Sequence, residues 1–353
     1  MMKRISIIAL LVLSAVVSIS IIRASGYQDE KPAPNQSAAV IKTQPPPTTA
    51  PSPSYPLTQL NRDFKDSLPI KPGETLEYEV RYSKFPIPPL SLGVITFEYP
   101  GPVTIGKALP NQSGETKVEP VINGLNMEFL PTQDDRFLRL RATAVPKGVY
   151  TWFTKDSKYR YETLVDANNF AARLNVLETK EGDKHVIQSN IFDIANQNVR
   201  YLTTNMVDKQ AMPKERTLPY QEGMMSLLSA IYFVRFQKYK EGQLIQFPVS
   251  SEETNYVFDI LVGKREPVQT ECGKRMAIKL EPKLFGPGKY FTKATGQMFI
   301  WMSDDKQHIP LKLYAKTNKG TINAKLINVK KNCKVIDPDI LDKPDKPEEK
   351  TGN

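Results

Sequence analysis

The sequence predicts a mainly β protein. Antiparallel sheets should curl into barrel-like or sandwich halves, with one amphipathic helix at about residues 221–240 between two sets of strands. Three observations carry that expectation. Between residues 71 and 336, short segments alternate apolar and polar residues with period two. Turns bearing Gly, Asp, Asn or Pro separate them. One stretch, Tyr220 to Gly242, breaks the alternation with a 3.6-residue period.

Taken in order, residues 1–26 read as a secretory signal or an uncleaved N-terminal anchor. Lys3 and Arg4 precede the apolar run Ile5 to Ile22, and Ala24-Ser25-Gly26 offers small residues for cleavage. The run is about 18 residues, long for a signal and barely long enough to span a bilayer. Residues 27–70 are rich in Pro, Ser, Thr and Gln, with QPPPTTAPSPSYP at the extreme, and are expected to form a disordered spacer. Residues 337–353 are expected to be a solvated tail.

The body, 71–336, divides around the helix into 71–219 and 220–336. Leu76, Tyr78, Val80 and Tyr82 alternate with Thr75, Glu77, Glu79 and Arg81 in a half-buried strand. SLGVITFEY forms a second, followed by a Gly/Pro/Asn-rich loop or hairpin over 100–125. In FLRLRATAV, Leu138, Leu140 and Ala142 oppose Arg139 and Arg141. KYRYETLVD follows, then ARLNVLET and KHVIQSNIF joined across Gly182-Asp183 as a hairpin. Val199 to Pro219 reads as a variable polar stretch.

In the helix, Met224, Leu227, Leu228 and Ile231 share one face, widened by Met225, Phe233 and Phe236. Glu222 near its start, Lys238 and Lys240 near its end and Gly242 beyond suit the macrodipole and a C-terminal cap. LIQFPVS, TNYVFDILVG, KRMAIKLEP, GQMFIWMS, HIPLKLYAK and GTINAKLINVK then read as six short strands. Consecutive strands usually pair, so a large sheet that must curl is expected.

The opening GETLEYEVRY with LSLGVITFE, the helix SLLSAIYFVR and the closing FIWMSDDKQHIPLKLYAKTNKGTINAKL resemble, in order, the bacterial family known as domain of unknown function 3108. The resemblance covers about residues 73–328 and implies a secreted or periplasmic, mostly β protein with one helix dividing two sets of strands. It implies no activity. The Gly/Pro-rich insertion from Tyr99 to Leu125 departs from the family pattern.

The net charge is +10, from 48 Lys+Arg against 38 Asp+Glu, and except toward the C-terminus is spread along the chain rather than gathered in a stripe, which argues against nucleic acid as a partner. Two cysteines and two histidines leave no zinc-ribbon, iron–sulfur or clustered Cys/His site, and no cofactor motif is present. Cys272 and Cys333 are a disulfide candidate, closing a loop of about 60 residues worth roughly 4 kcal/mol; two unpaired thiols are the alternative. His185 and His308 lack a neighbouring nucleophile elbow, so no catalytic residue is assigned.

Four residues are candidates for ligand binding: Tyr232, Arg235, Trp301 and Asp304. Arg235 would hold an anionic head group at a cavity mouth, or pair with a carboxylate or capping carbonyls; Tyr232, three residues earlier, would stack on it. Trp301 joins Met224, Met225, Phe233, Phe236, Met298 and Met302 as soft apolar surface, either core or the lining of an acyl-chain site. Asp304 and its neighbour Asp305 are potential acid–base or cation-binding carboxylates, but as SDDKQ they read as a polar turn. The leading function is an exported, non-enzymatic envelope module, binding or scaffolding, for a lipid-like ligand or an envelope protein. Membrane contact is expected only through an uncleaved N-terminal segment. The alternatives are a hydrolase of cell-wall or polysaccharide substrates, using acids such as Asp304 or Glu222, and a structural component of an envelope assembly.

Overall fold

A computed structural model describes residues 69–104, 136–147, 151, 157–167, 169–208, 212–251, 254–270, 273–285, 295–318 and 320–329. The expected signal or anchor, the spacer before residue 69, the tail, Cys272 and Cys333 lie outside the described residues.

The first set of strands is β1 (Glu74–Lys84), β2 (Ile87–Thr104), β3 (Arg136–Pro146), β4 (Lys158–Asp166), β5 (Ala172–Glu181), β6 (Lys184–Asp193), β7 (Asn198–Asn205) and β8 (Lys214–Pro219). A helix, α1 (Leu227–Phe233), runs into one 3-10 turn at Val234–Phe236. The second set is β9 (Leu244–Ser251), β10 (Thr254–Thr270), β11 (Gly273–Pro282), β12 (Gly296–Ser303), β13 (Pro310–Thr317) and β14 (Gly320–Val329). All fourteen form one antiparallel sheet in the order β8-β7-β6-β5-β4-β3-β2-β1-β14-β13-β12-β11-β10-β9. Each half is a meander, and the seam is the pairing of β1 with β14.

Laid flat, such a sheet would hold β8 and β9 about 60 Å apart. It cannot lie flat, because one short segment touches both halves. The Ala172 amide of β5 donates to Met224 O at 3.0 Å, and Met225 bonds β9 through Pro248 O at 3.0 Å and the Ser250 amide at 2.8 Å. The sheet therefore curls around α1 without closing edge to edge. Its inner face is the one the alternation marked: Leu76, Tyr78, Val80 and Tyr82, then Leu138, Leu140 and Ala142, then Phe258, Ile260 and Val262, all buried in one cluster with Leu227, Leu228 and Phe233. Curvature needs close backbone approach in places. At Gly93, where the β1–β2 register shifts nearby, a Cβ would lie 2.3 Å from the Val145 carbonyl oxygen.

The helix is shorter than its periodicity suggested. Gly223 takes φ +71°, and Met224 and Met225 stay outside the helix, their backbone groups serving β5 and β9. Ser226 caps α1: its Oγ accepts from the Ser229 amide at 3.0 Å while Ser229 Oγ accepts from the Ser226 amide at 2.9 Å. Ser226 Oγ also donates to Thr163 Oγ1 at 3.1 Å, tying the helix start to β4. Lys238 and Lys240 lie beyond the helix, and Gly242 serves the turn into β9 rather than a helix cap. The polar stretch 199–219 also departs from expectation. It holds β7 and β8, whose pairing runs from Asn198↔Pro219 to Thr203↔Lys214. β8, one of the two outermost strands, exposes every residue but Leu218, so no alternation marks it.

β4 is buried on both faces. Phe137, Leu164, Leu174, Val176, Ile187 and Ile191 form a second cluster on the outer side of β3–β6. Beside it the Glu162 carboxylate, 1% exposed, accepts from Arg139, from Arg160 at 2.6 Å and from Arg141 at 3.5 Å. Three guanidiniums around one buried carboxylate should be sensitive to its loss. We expect Glu162→Ala to destabilise the protein by about 3 kcal/mol in urea denaturation; a loss under about 1 kcal/mol would show the arginines to be adequately solvated without it.

Candidate functional site

The end of α1, the start of β1 and the β12–β13 turn meet at Arg235. Its guanidinium is 1% exposed. It donates to Glu74 Oε1 at 2.5 Å and Oε2 at 3.0 Å, to Gln307 O at 3.2 Å and to Pro69 O at 3.3 Å. Of the two roles its position allowed, this geometry is the pairing with a carboxylate and backbone carbonyls. Burial works against the charge, but the Glu74 carboxylate outweighs it and holds the guanidinium above its ordinary range. The Arg235 carbonyl contacts His308 Nδ1 at 2.9 Å. Tyr232 lies as its spacing suggested, with the guanidinium carbon 5.7 Å from the ring centroid.

Alongside this cluster, between α1 and the inner face, is a cavity of about 70 Å³. Leu76, Tyr78 and Phe97 wall one side, Ile300, Met302 and Leu313 the other, and Tyr232 and Val234 the helix side, with Ala324 among the remaining lining residues. The half-buried Ile231, Ile300 and Leu313 mark where it meets solvent. Nearly all of the lining is apolar. Tyr78 donates to Pro310 O at 2.7 Å, but the Tyr232 hydroxyl is buried and has no hydrogen-bond partner.

The other two candidates stand elsewhere. Ile300 and Met302 line the cavity, so Trp301 between them belongs to the opposite face of β12. There its Nε1 donates to Glu266, and the Lys279 and Lys312 ammoniums lie 5.6 Å and 4.6 Å from its ring centroid. Burial, with Lys325 and Lys279 nearby, lowers the Lys312 pKa. Asp304 pairs with Arg265 at 2.9 Å. Asp305 organises the turn: its Oδ1 accepts from Ser303 Oγ at 2.9 Å and from the Gln307 and His308 amides at 2.9 and 3.2 Å. Met224, Met225 and Met298 are core; of the expected soft surface, Met302 reaches the cavity. His185 contacts Glu178 at 2.9 Å. Among the described residues no three His, Cys, Asp or Glu side chains gather as a metal site, and no helix is long and apolar enough to cross a membrane.

Two features of the site escaped the sequence. Glu74 lies 161 positions from Arg235, at the first residue of a strand whose acids read as a solvated face. The unpartnered Tyr232 hydroxyl leaves no trace in periodicity at all.

Removing one member of the buried pair leaves the other charged and unsolvated. Glu74→Leu should lower stability by about 3–5 kcal/mol, and adding Arg235→Met should restore most of that loss; equal denaturation midpoints for wild type and Glu74→Leu would refute the pairing. Burial also raises the phenols of Tyr78, Tyr232 and Tyr239, the last of which donates to Val234 O. Raised folded-state values mean stability that is intact below the unfolded value of about 10 and falls as pH rises past it. The denaturation midpoint should therefore drop steeply above about pH 10, and less steeply in Tyr232→Phe.

A comparison with curated proteins gives no match. Among solved structures, a β-barrel-like protein of domain of unknown function 1849 from Brucella abortus is similar over 74% of this chain and 98% of its own, at TM-score 0.41 and 11% identity. A protein described as exported, with a YmcC-like fold, from Bacteroides fragilis is similar over 75% and 99%, at TM-score 0.30 and 7% identity. A protein described as a lipoprotein from Parabacteroides distasonis is similar over 73% and 95%, at TM-score 0.27 and 8% identity. The family model described as Protein of unknown function (DUF3108) matches residues 125–327, more than half of the 353 residues, and the chain belongs to that family.

Proposed function

We propose that this protein is an exported, non-enzymatic envelope module that holds the apolar end of a lipid-like ligand between α1 and the inner face of the sheet. The observation that carries this reading is the apolar cavity with a buried, unpartnered Tyr232 hydroxyl. Leaving a buried hydroxyl without a partner costs about 1–3 kcal/mol, a cost that a ligand oxygen would relieve. At about 70 Å³ the cavity is roughly half the size of an apolar cavity known to take up benzene. It suits a short alkyl end, with the rest of the ligand leaving past Ile231, Ile300 and Leu313. A neutral oxygen, hydroxyl or carbonyl, suits Tyr232 better than a carboxylate, because Glu74 already supplies the negative charge paired with Arg235. Export is supported by Lys3 and Arg4 ahead of the Ile5 to Ile22 run.

The hydrolase reading draws no support from its two acids: Glu222 is exposed before the helix and Asp304 is ion-paired. Scaffolding has one specific observation behind it. β8 is an outermost strand, pairs with β7 and is exposed at all but Leu218, so it offers an edge to which an envelope partner could add a strand.

Methyl NMR of the full chain titrated with 1-hexanol and with hexane tests the ligand reading. Both should shift Ile231, Ile300 and Leu313, and Ala324→Phe, which fills the cavity, should abolish the shifts. Tyr232→Phe should weaken hexanol about fivefold, leave hexane unchanged, and stabilise the free protein by up to about 1 kcal/mol. Absence of shifts at these methyls, or binding that survives Ala324→Phe, would sink the proposal.

A further inference from the structure

Seven large apolar side chains are exposed among the described residues: Phe85, Val145, Met206, Val207, Met212, Leu244 and Met276. Single exposed apolar residues are ordinary. These are not scattered singly. In an antiparallel meander, the turns that follow β1, β3, β5 and β7 all lie at one end of the sheet. Phe85 sits in the β1–β2 turn, Val145 at the end of β3, and Met206, Val207 and Met212 in the β7–β8 connection. Five of the seven therefore share one rim, and two of them are almost wholly solvated, Phe85 at 96% and Met212 at 87%.

The pairing register aligns the β3–β7 part of this rim, while the β1–β2 tip projects beyond it: Val145 pairs with Val94 and Val94 with Glu79, six residues before Phe85. Val145 is next to Ala144, which pairs with Tyr159; the adjacent Lys158 pairs with Lys180, Lys180 with His185, and the Met206 amide bonds His185 O. The same end carries the exposed lysines Lys84, Lys147, Lys158, Lys180, Lys184 and Lys214, against the exposed acids Asp183 and Asp208. The nearby acids Glu178, Glu181 and Glu215 are engaged by His185, Tyr159 and Arg200.

We infer that this rim docks on an anionic lipid bilayer. Apolar points separated by lysines suit a soft surface that accepts each point on its own; a packed protein interface would need about 800 Å² of continuous contact per partner. The lysines meet anionic head groups while Phe85, Val207 and Met212 enter the head-group region. A hydrophilic polyanion would satisfy the lysines and leave those apolar tips in water. The contact is independent of the cavity, since no rim residue lines it.

Hydrogen exchange of the full chain, read by mass spectrometry, tests the inference even if the N-terminal apolar run tethers the protein to every vesicle. Phosphatidylglycerol vesicles should slow exchange in turn peptides around residues 83–87 and 206–214 by at least about fivefold, the factor that one lysine contact supplies. Phosphatidylcholine vesicles and lipid-free dextran sulfate should not. The slowing should vanish at about 0.5 M salt, where the Debye length is about 4 Å, and in both Val207→Ser/Met212→Ser and Lys180→Glu/Lys184→Glu. Unchanged exchange with anionic vesicles, equal slowing by neutral vesicles or by dextran sulfate, or slowing that persists in these variants would overturn it.

Discussion

The contact on which the rest of the molecule depends is the buried ion pair of Arg235 and Glu74. A buried guanidinium is costly unless each of its donors finds a partner. Here the partners come from three places in the chain: the Glu74 carboxylate at the head of β1, the Pro69 carbonyl before it, and the Gln307 carbonyl in the β12–β13 turn. β1 is the seam strand, so the charge fixes the end of α1 against the middle of the sheet. The other end of the helix is fixed differently. Met224 and Met225 use backbone bonds to hold β5 and β9, and Ser226 reaches Thr163 of β4. A two-turn element, marginal by itself, thus sets the curvature of fourteen strands.

That arrangement explains why a recess survives beside a dense core. Arg235 and its partners are polar groups of fixed geometry, and the apolar residues around them cannot collapse into the cluster without breaking a hydrogen bond. The space left between Leu76, Tyr78 and Phe97 on one side and Ile300 and Leu313 on the other stays apolar because four hydrogen bonds hold the Arg235 guanidinium on protein acceptors. Tyr232 is the exception, a hydroxyl in the same wall with nothing to bond. Natural sequences retain such costs where function needs them.

The strands were legible wherever one face met the core. Leu76, Tyr78, Val80 and Tyr82 are buried, as their alternation required, and so are Ile322, Ala324 and Leu326 at the other side of the seam. Alternation failed at β8, because this strand is exposed on both faces at every residue but Leu218. It misplaced the helix start, because Met224 and Met225 are apolar whether they face a core as helix or as a strand-like clip. The site was half legible. The spacing of Tyr232 and Arg235 predicted their contact, but the carboxylate that defines Arg235 is brought in by folding from 161 residues away. Trp301 was credible by chemistry, but the pleat turns it away from the cavity, since neighbours on a strand face opposite ways, and Asp304 lies in the turn after β12, paired with Arg265.

The seam has a consequence for how the protein comes to be folded. Among the described strands β1 is the first made and β14 the last, yet they are paired at the centre of the sheet, with Leu76 opposite Val329. Each meander can assemble hairpin by hairpin as it is synthesised, but the two cannot join until the final strand has emerged. Until then β1 presents an unpaired inner edge bearing Leu76, Tyr78, Val80 and Tyr82, a template for the wrong partner. Such long-range closure is slow. The period before β14 arrives is therefore when this chain is most exposed to misassembly, and when a chaperone would matter most.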